Sequence, residues 1–245
     1  MNMEYLSEIR KLLDHVEANV APVIDEVSAV CAKSIAEGGM LYFFGTGHSH
    51  MISEEPFYRA GGLAAISPIL KNFLMLHEGA AVSSTYERLE GVGEIVIKNS
   101  GIQKGDVLFV ISNSGRNAAG IEAALTAKAI GAATVAITSL NHTKAVTSRH
   151  VSGKRLFEVC DYVLDNGGVL GDACLHLEGL PEGQMIAPTS TVIDATIVNM
   201  VTTATIEKLL AMGIQPPIFT SANTDEGDRK NAAIIAEYKK RVPFL

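Results

Sequence analysis

The sequence predicts an α/β fold. The architecture is a three-layer sandwich, with a parallel sheet of five strands between helices and a helical extension at the N-terminus. Three observations predict it. Runs such as DVLFVIS (106–112) and ATVAIT (133–138) are apolar without alternation, as strands covered on both faces are. Helical stretches separate these runs, which is the pattern of a sheet built from crossover units. Hydrophobic residues make up 47% of the 245-residue chain and charged ones 19%, enough to bury a sizeable core.

Residues 3–36 read as helix, because Tyr5, Ile9, Leu12, Leu13 and Val16 recur at helical spacing and Val20, Val23, Ile24, Val27 and Val30 continue it. Pro22 is expected to break or kink this run, and Gly38-Gly39 to end it. MLYFFG (40–45) is the first strand, followed by a helix from near Ser49. LAAISP (63–68) is the second and 106–112 the third. The helix after that runs to Ile130 and closes at Gly131. ATVAIT is the fourth strand, DYVLDN (161–166) the fifth, and QMIAP (184–188) a candidate sixth. Helices are expected over about 190–211 and about 228–241. Residues 71–100 give no clear helix ends. With no Pro/Gly/Ser linker and no shift in composition, residues 1–245 read as one domain with a core over about 35–210.

The net charge is −7 and the pI near 5.5, so no general basic field attracts nucleic acid. An anion would have to be bound by local dipoles and placed donors. Three cysteines with no CxxC spacing argue against disulfides or a zinc knuckle and for a reducing cytoplasm. The charged N-terminus has no signal-peptide core, and no apolar run is long enough to span a membrane.

Two strand ends carry anion-binding chemistry. Ligands of parallel α/β sheets sit at the carboxyl ends of strands, where free helix N–H groups favour negative charge. The first such end is FFGTGHSH, with Gly45, Gly47 and Ser49. The second is SNSGRN, with Ser112, Asn113, Ser114, Gly115 and Asn117. Each alone is equally a helix cap and turn. Neither is a nucleotide motif: the dinucleotide fingerprint would need glycine where His50 stands, and no G-x-x-x-x-G-K-[ST] occurs. No cofactor is therefore expected.

Together they are more specific. G-x-G-x-S, followed about sixty residues later by S-x-S-G-x-N and a helix ending in AKAIGAATVAIT, resembles the SIS (sugar isomerase) domain family. The segments SRHVSGKRLFEVCDYVLDNGG and GDACLHLEGL resemble a bacterial branch grouped near the phosphoheptose isomerases. The resemblance implies a parallel sheet that binds a phosphosugar, with Ser49, Ser112, Ser114 and Asn117 gripping the phosphate. Asn117 stands where the family usually has Thr. It also implies a homodimer or tetramer whose sites are completed across an interface.

Aldose–ketose interconversion needs a base to move a proton between adjacent carbons. The helix after the first loop offers His50, Glu54 and Glu55. Glu55 lies about 9 Å along the axis from Ser49, near the span from a hexose C1–C2 to its 6-phosphate. It is the first choice as base, with Glu54 second. Both acids are also what a solvated first turn would carry. His50 and Glu54, one turn apart, have metal-ligand spacing. Phosphoheptose isomerases use such a pair further along this helix, with a Gln and a His from the helix after the P-S-T segment. TSTVIDATIVNMV has neither, so no metal site is carried over. Asn199 in that helix either faces the ligand or satisfies nearby backbone. His150, Ser152 and Lys154 read as a solvated basic turn. Asp165 and Asp172 read as sugar ligands or turn residues, and His15, His77, His142 and His176 as bystanders.

The function expected is thus phosphosugar binding, with aldose–ketose isomerisation as the reaction. The alternatives are a lyase or etherase using the same grip and base, and a sensor that binds without turnover. Sensors of the familiar type carry a separate helix-turn-helix domain, and only about 36 residues precede the core here.

Overall fold

The computed structural model describes residues 3–221 and 225–245. The N-terminal helical segment consists of α1 (Glu4–His15), one π-helical turn over Val16–Val20, and α2 (Ala21–Ala36). The break expected at Pro22 takes the form of this π turn. Pro22 itself lies in the first turn of α2, directly after the π turn, where it cannot donate to a carbonyl of the turn before.

The main sheet contains β1 (Leu41–Gly45), β2 (Ile66–Pro68), β3 (Val107–Ile111), β4 (Ala133–Thr138) and β5 (Tyr162–Asp165). All neighbours are parallel, in the order β2-β1-β3-β4-β5. Pro68, which cannot donate to a ladder, falls on the edge strand. Only the end of the run at 63–68 joins this sheet. Its start, at Leu63 and Ala64, pairs instead with the segment around Pro217–Ile218.

The candidate sixth strand is a correction. QMIAP contributes β7 (Ile186–Pro188), which pairs antiparallel with β6 (Ala173–Leu175) in a separate two-stranded ribbon. A strand inside the parallel sheet would be covered on both faces, whereas Met185 and Pro188 are exposed.

Between the strands lie α3 (His50–Glu54), α4 (Ala80–Tyr86), α5 (Val92–Lys98), α6 (Ala118–Ile130) and α7 (Leu140–Lys144). After the ribbon come α8 (Ser190–Ala211) and α9 (Asp225–Tyr238). The last helix begins and ends three residues before the expected bounds. On one face of the sheet α2 covers β1, β3 and β5 and packs against α8. On the other, α6 covers β3 and β4 and packs against α5. Gly93 allows that second contact, since a Cβ there would lie 2.2 Å from the Ala119 carbonyl.

The core runs from Ile9 in α1 to Val242 beyond α9. At its centre Phe43 and Phe109, directly opposite in the β1–β3 ladder, stack with centroids 4.5 Å apart. Asp106 is 1% exposed and accepts from the Met40 and Gln103 backbone N–H groups and from Arg241, at 2.6 Å. This ties the chain beyond α9 to the foot of the sheet.

Candidate anion site at the sheet switch point

The order β2-β1-β3-β4-β5 reverses direction between β1 and β3, and the crevice at such a reversal is where open α/β sheets bind ligands. Register brings the strand ends together: Gly45 pairs with Ile111, and Ile111 with Ile137. The loops 45–49 and 112–117 therefore open side by side, directly above the Phe43–Phe109 stack.

The first loop folds back on its strand. A Cβ on Gly45 would lie 2.4 Å from the Ser49 carbonyl, so no larger residue fits that turn. Gly47, His48 and Ser49 form a 3₁₀ turn leading into α3. His50 contacts the Gly47 carbonyl through Nδ1, and its Nε2 lies 3.5 Å from Glu54.

The second loop is stitched to the two segments beyond it. Ser112 Oγ accepts from the Gly115 N–H (3.2 Å), and the Gly115 carbonyl accepts from the Leu156 N–H (2.8 Å). The Asn113 carbonyl accepts from the Ser139 N–H. Its side-chain oxygen accepts from Asn166, whose amide also donates to Asp194 on α8. Asp194 is fully buried. That burial, with the charge of Asp172 nearby, pushes its carboxyl up to about 7 against the opposing Asn166 hydrogen bond. Ser112, Asn113, Ser114 and Asn117 are half-buried at the mouth, and Gly115 is buried beneath them.

Asn117 occupies the N-cap position of α6, but its side chain does not cap the helix. The amide donates to Glu87 (2.9 Å), and the oxygen accepts from Arg149 (3.0 Å). Glu87 in turn accepts from the Thr46 hydroxyl (2.5 Å), while its backbone carbonyl takes the N–H of Ala119 in the first turn of α6. Glu87 thus joins the two loops. Arg149 is held below the usual guanidinium range by burial and by repulsion from Arg116 and Arg88, against the attraction of Glu87.

Glu55 lies apart from this junction. It caps the C-terminus of α3 and faces α8, bonded to Arg59 (2.6 Å) and to the Asn199 amide (3.0 Å). Asn199 also donates to the Ala195 carbonyl, so it meets Glu55 and its own backbone at once.

Other singled-out residues take structural places. Asp172 accepts from the Thr189 and Ser190 N–H groups and caps α8, and Asp165 accepts from those of Leu140 and Gly167. His150 departs from the expected solvated turn. Its side chain is only 9% exposed and faces Glu90 and Glu122. Thr46, Glu87, Arg88, Arg116 and Arg149 were not singled out in the sequence. They meet only through the tertiary fold, and Glu87 lies in the stretch with no clear periodicity.

Two glycine- and hydroxyl-bearing loops side by side at the switch point of a parallel sheet define an open α/β domain of the doubly wound kind. The chain belongs to the SIS domain family, whose pattern matches residues 4–139. Along almost its whole length it is similar to a UPF0309 protein of Listeria innocua, with 43% identity over 241 residues, 98% of this chain and 97% of the relative. Among solved structures, it is similar in fold to the phosphoheptose isomerase of Neisseria gonorrhoeae (TM-score 0.52, 16% identity, 82% of this chain and 93% of that one). It also resembles the Vibrio vulnificus NanR protein complexed with ManNAc-6P (TM-score 0.52, 13% identity, 95% of this chain and 67% of that one).

Proposed function

We propose that this chain binds a phosphosugar across the two loops and interconverts its aldose and ketose forms. The observation that carries the reading is the pairing of loops 45–49 and 112–117 at the β1/β3 reversal, with Arg149 bonded to Asn117 there and Arg88 and Arg116 close enough to repel it. In a protein of net charge −7, such a cluster beside neutral hydroxyl donors favours an anion locally. The phosphate would lie on Gly47, Ser49, Ser112, Asn113, Ser114, Gly115 and Asn117. Solved proteins of similar fold supply the ligand class: one is a phosphoheptose isomerase and another holds ManNAc-6P.

In this reading Glu55 is the base. It takes the proton from C2 of the aldose, leaving an enediolate, and returns it to C1, while the proton on O2 passes to O1. Arg59 and Asn199 orient its carboxylate, and the pair formed by His50 at the start of α3 and Glu54, next to Glu55 in sequence, serves the exchange between oxygens. A second assignment rests on Glu87, the carboxylate that touches both loops. A lyase acting beta to a carbonyl would need the same base and grip.

We place the protein in the cytoplasm, in keeping with its three free cysteines. No helix among the described residues is long and apolar enough to cross a membrane. We read it as a homodimer or tetramer. A groove of about 640 Å³ between α2 and α8, lined by Ile24, Ala195, Met200 and Ala204, also contains Asn199. A second copy seated there would reach Glu55.

The deciding experiment is incubation with a panel of phosphosugars in D₂O, followed by NMR. Isomer formation with deuterium at the carbon that gains the proton supports the reading. Elimination products move it to a lyase, and saturable binding without exchange moves it to a sensor. Light scattering that finds a monomer at micromolar concentration removes the shared-site element.

A further inference from the structure

We propose that Glu90, Glu122 and His150 form a binding site for a divalent transition-metal cation, zinc by ligand type. The cluster is separate from the phosphate loops, and the proposal does not depend on the reaction assigned to them.

The geometry is that of ligands around a shared ion. One atom from each of the three side chains lies within 4.8 Å of the other two. His150 Nε2 is 3.5 Å from Glu90 and 3.9 Å from Glu122 Oε1, both longer than an N–H···O hydrogen bond of about 2.7–3.2 Å. A tetrahedral cation with ligands at about 2.0–2.2 Å sets neighbouring ligand atoms about 3.3–3.6 Å apart. The Glu90 distance falls in that range and the Glu122 distance a little beyond it, so both are closer to ligand–ligand edges than to a direct bond. The His150 ring is nine-tenths buried, so this nitrogen faces the two carboxylates rather than bulk water.

Each ligand is also held from behind, as metal ligands are. His150 Nδ1 pairs with Ser152 Oγ at 2.8 Å, which orients the ring and leaves Nε2 toward the cluster. Glu122, 10% exposed at its side chain, accepts from the Gly91 (2.5 Å) and Gly93 (2.9 Å) backbone N–H groups. Glu90 accepts from the Val151 N–H at 2.7 Å. One imidazole and two carboxylates suit zinc, and three protein ligands leave a fourth position for water or another oxygen donor. Glu90, with its side chain 47% exposed, forms the open side. Bound metal would pin the segments 87–91 and 149–152 to α6, and so fix Glu87 and Arg149 at the anion mouth.

The test is zinc binding to the metal-stripped full-length protein near neutral pH. It is followed by isothermal titration and by metal analysis after desalting. Wild type should take up one equivalent and melt at a higher temperature with zinc than without. His150→Ala and Glu90→Gln should each weaken binding at least about tenfold. Glu90→Gln alters a half-exposed side chain, so it decides the matter if His150→Ala fails to fold. His50→Ala should bind as wild type does. The proposal is overturned if the wild type retains no zinc, if Glu90→Gln binds unchanged with a native circular-dichroism spectrum, or if His50→Ala abolishes uptake and moves the site to His50 and Glu54.

Discussion

The carboxylate of Glu87 and the side-chain amide of Asn117 meet at 2.9 Å across the mouth of the two strand-end loops. With Thr46 on its other oxygen, Glu87 places a negative charge beside the proposed phosphate position. Glu87→Gln keeps the shape and removes the charge. Affinity for inorganic phosphate should rise by about 1 kcal/mol, the scale of a like-charge repulsion at contact distance screened by bulk water. Titration calorimetry reads this directly. An unchanged affinity would place the anion elsewhere.

Ser114 stands half-buried at the same mouth. Ser114→Ala should weaken phosphosugar binding by about 1–2 kcal/mol, as loss of one hydrogen bond to a charged group does. The fold should be untouched, since the change removes a hydroxyl at a partly open position. Identical titration curves for variant and wild type would count against the phosphate grip.

Glu55→Gln separates binding from chemistry. The amide can still accept from Arg59 and Asn199 through its oxygen, so phosphosugar affinity should stay within about a factor of a few. Exchange of the substrate's C2 proton with deuterium should stop. Full exchange in this variant would transfer the role of base, with Glu87→Gln as the next variant to measure.

Asp194 makes stability depend on pH in an unusual direction. Its carboxyl ionises near 3.8 when exposed but holds its proton to about 7 in the folded protein, because burial opposes the charge. Between these values the folded state binds more protons than the unfolded one. This group's stabilisation is therefore fully present at acid pH, falls as pH rises through that window, and is gone above about 7. Asp194→Asn keeps an acceptor for Asn166 and removes the titration. Denaturant melts at several pH values should show the variant gaining on the wild type as pH rises, by a few kcal/mol in order of magnitude. Parallel curves would mean that Asp194 ionises normally.

Gly93→Ala tests the α5–α6 contact. Its Cβ would meet the Ala119 carbonyl at 2.2 Å, so the helices must part. A loss of about 1–3 kcal/mol in denaturant unfolding is expected from such overpacking. Zinc uptake should fall as well, because the Gly93 N–H would no longer hold Glu122.

The strands were legible because most are short, largely apolar runs between helical stretches, and β1 and β3 are apolar and buried throughout. The same signal misleads for QMIAP, since a short apolar run does not say which sheet it joins. The loops that carry Ser49, Ser112 and Ser114 were legible as strand ends because glycine and hydroxyls follow an apolar run in each, and the register sets them side by side. Glu87 and Arg149 were not, because they reach Asn117 from loops 30 and 32 residues away in opposite directions along the chain. His150 sits in a segment whose composition reads as solvated. It faces Glu122, a buried carboxylate of α6 that helical periodicity alone would not predict.

The π turn at Val16–Val20 fits one more residue into its turn than an α-helix would. The extra residue is absorbed within the turn, so α1 and α2 keep nearly the phase that a continuous helix one residue shorter would give them. If the same residues rewound as continuous α-helix, α1 would swing by about 100° around its axis. Tyr5, whose hydroxyl now donates to the Pro188 carbonyl, would then point away from the β6–β7 ribbon. Loss of one codon inside the turn would instead leave that contact nearly in phase, whereas loss of one codon within α1 or α2 would not. A one-residue deletion should therefore be better tolerated within residues 16–20 than on either side of them.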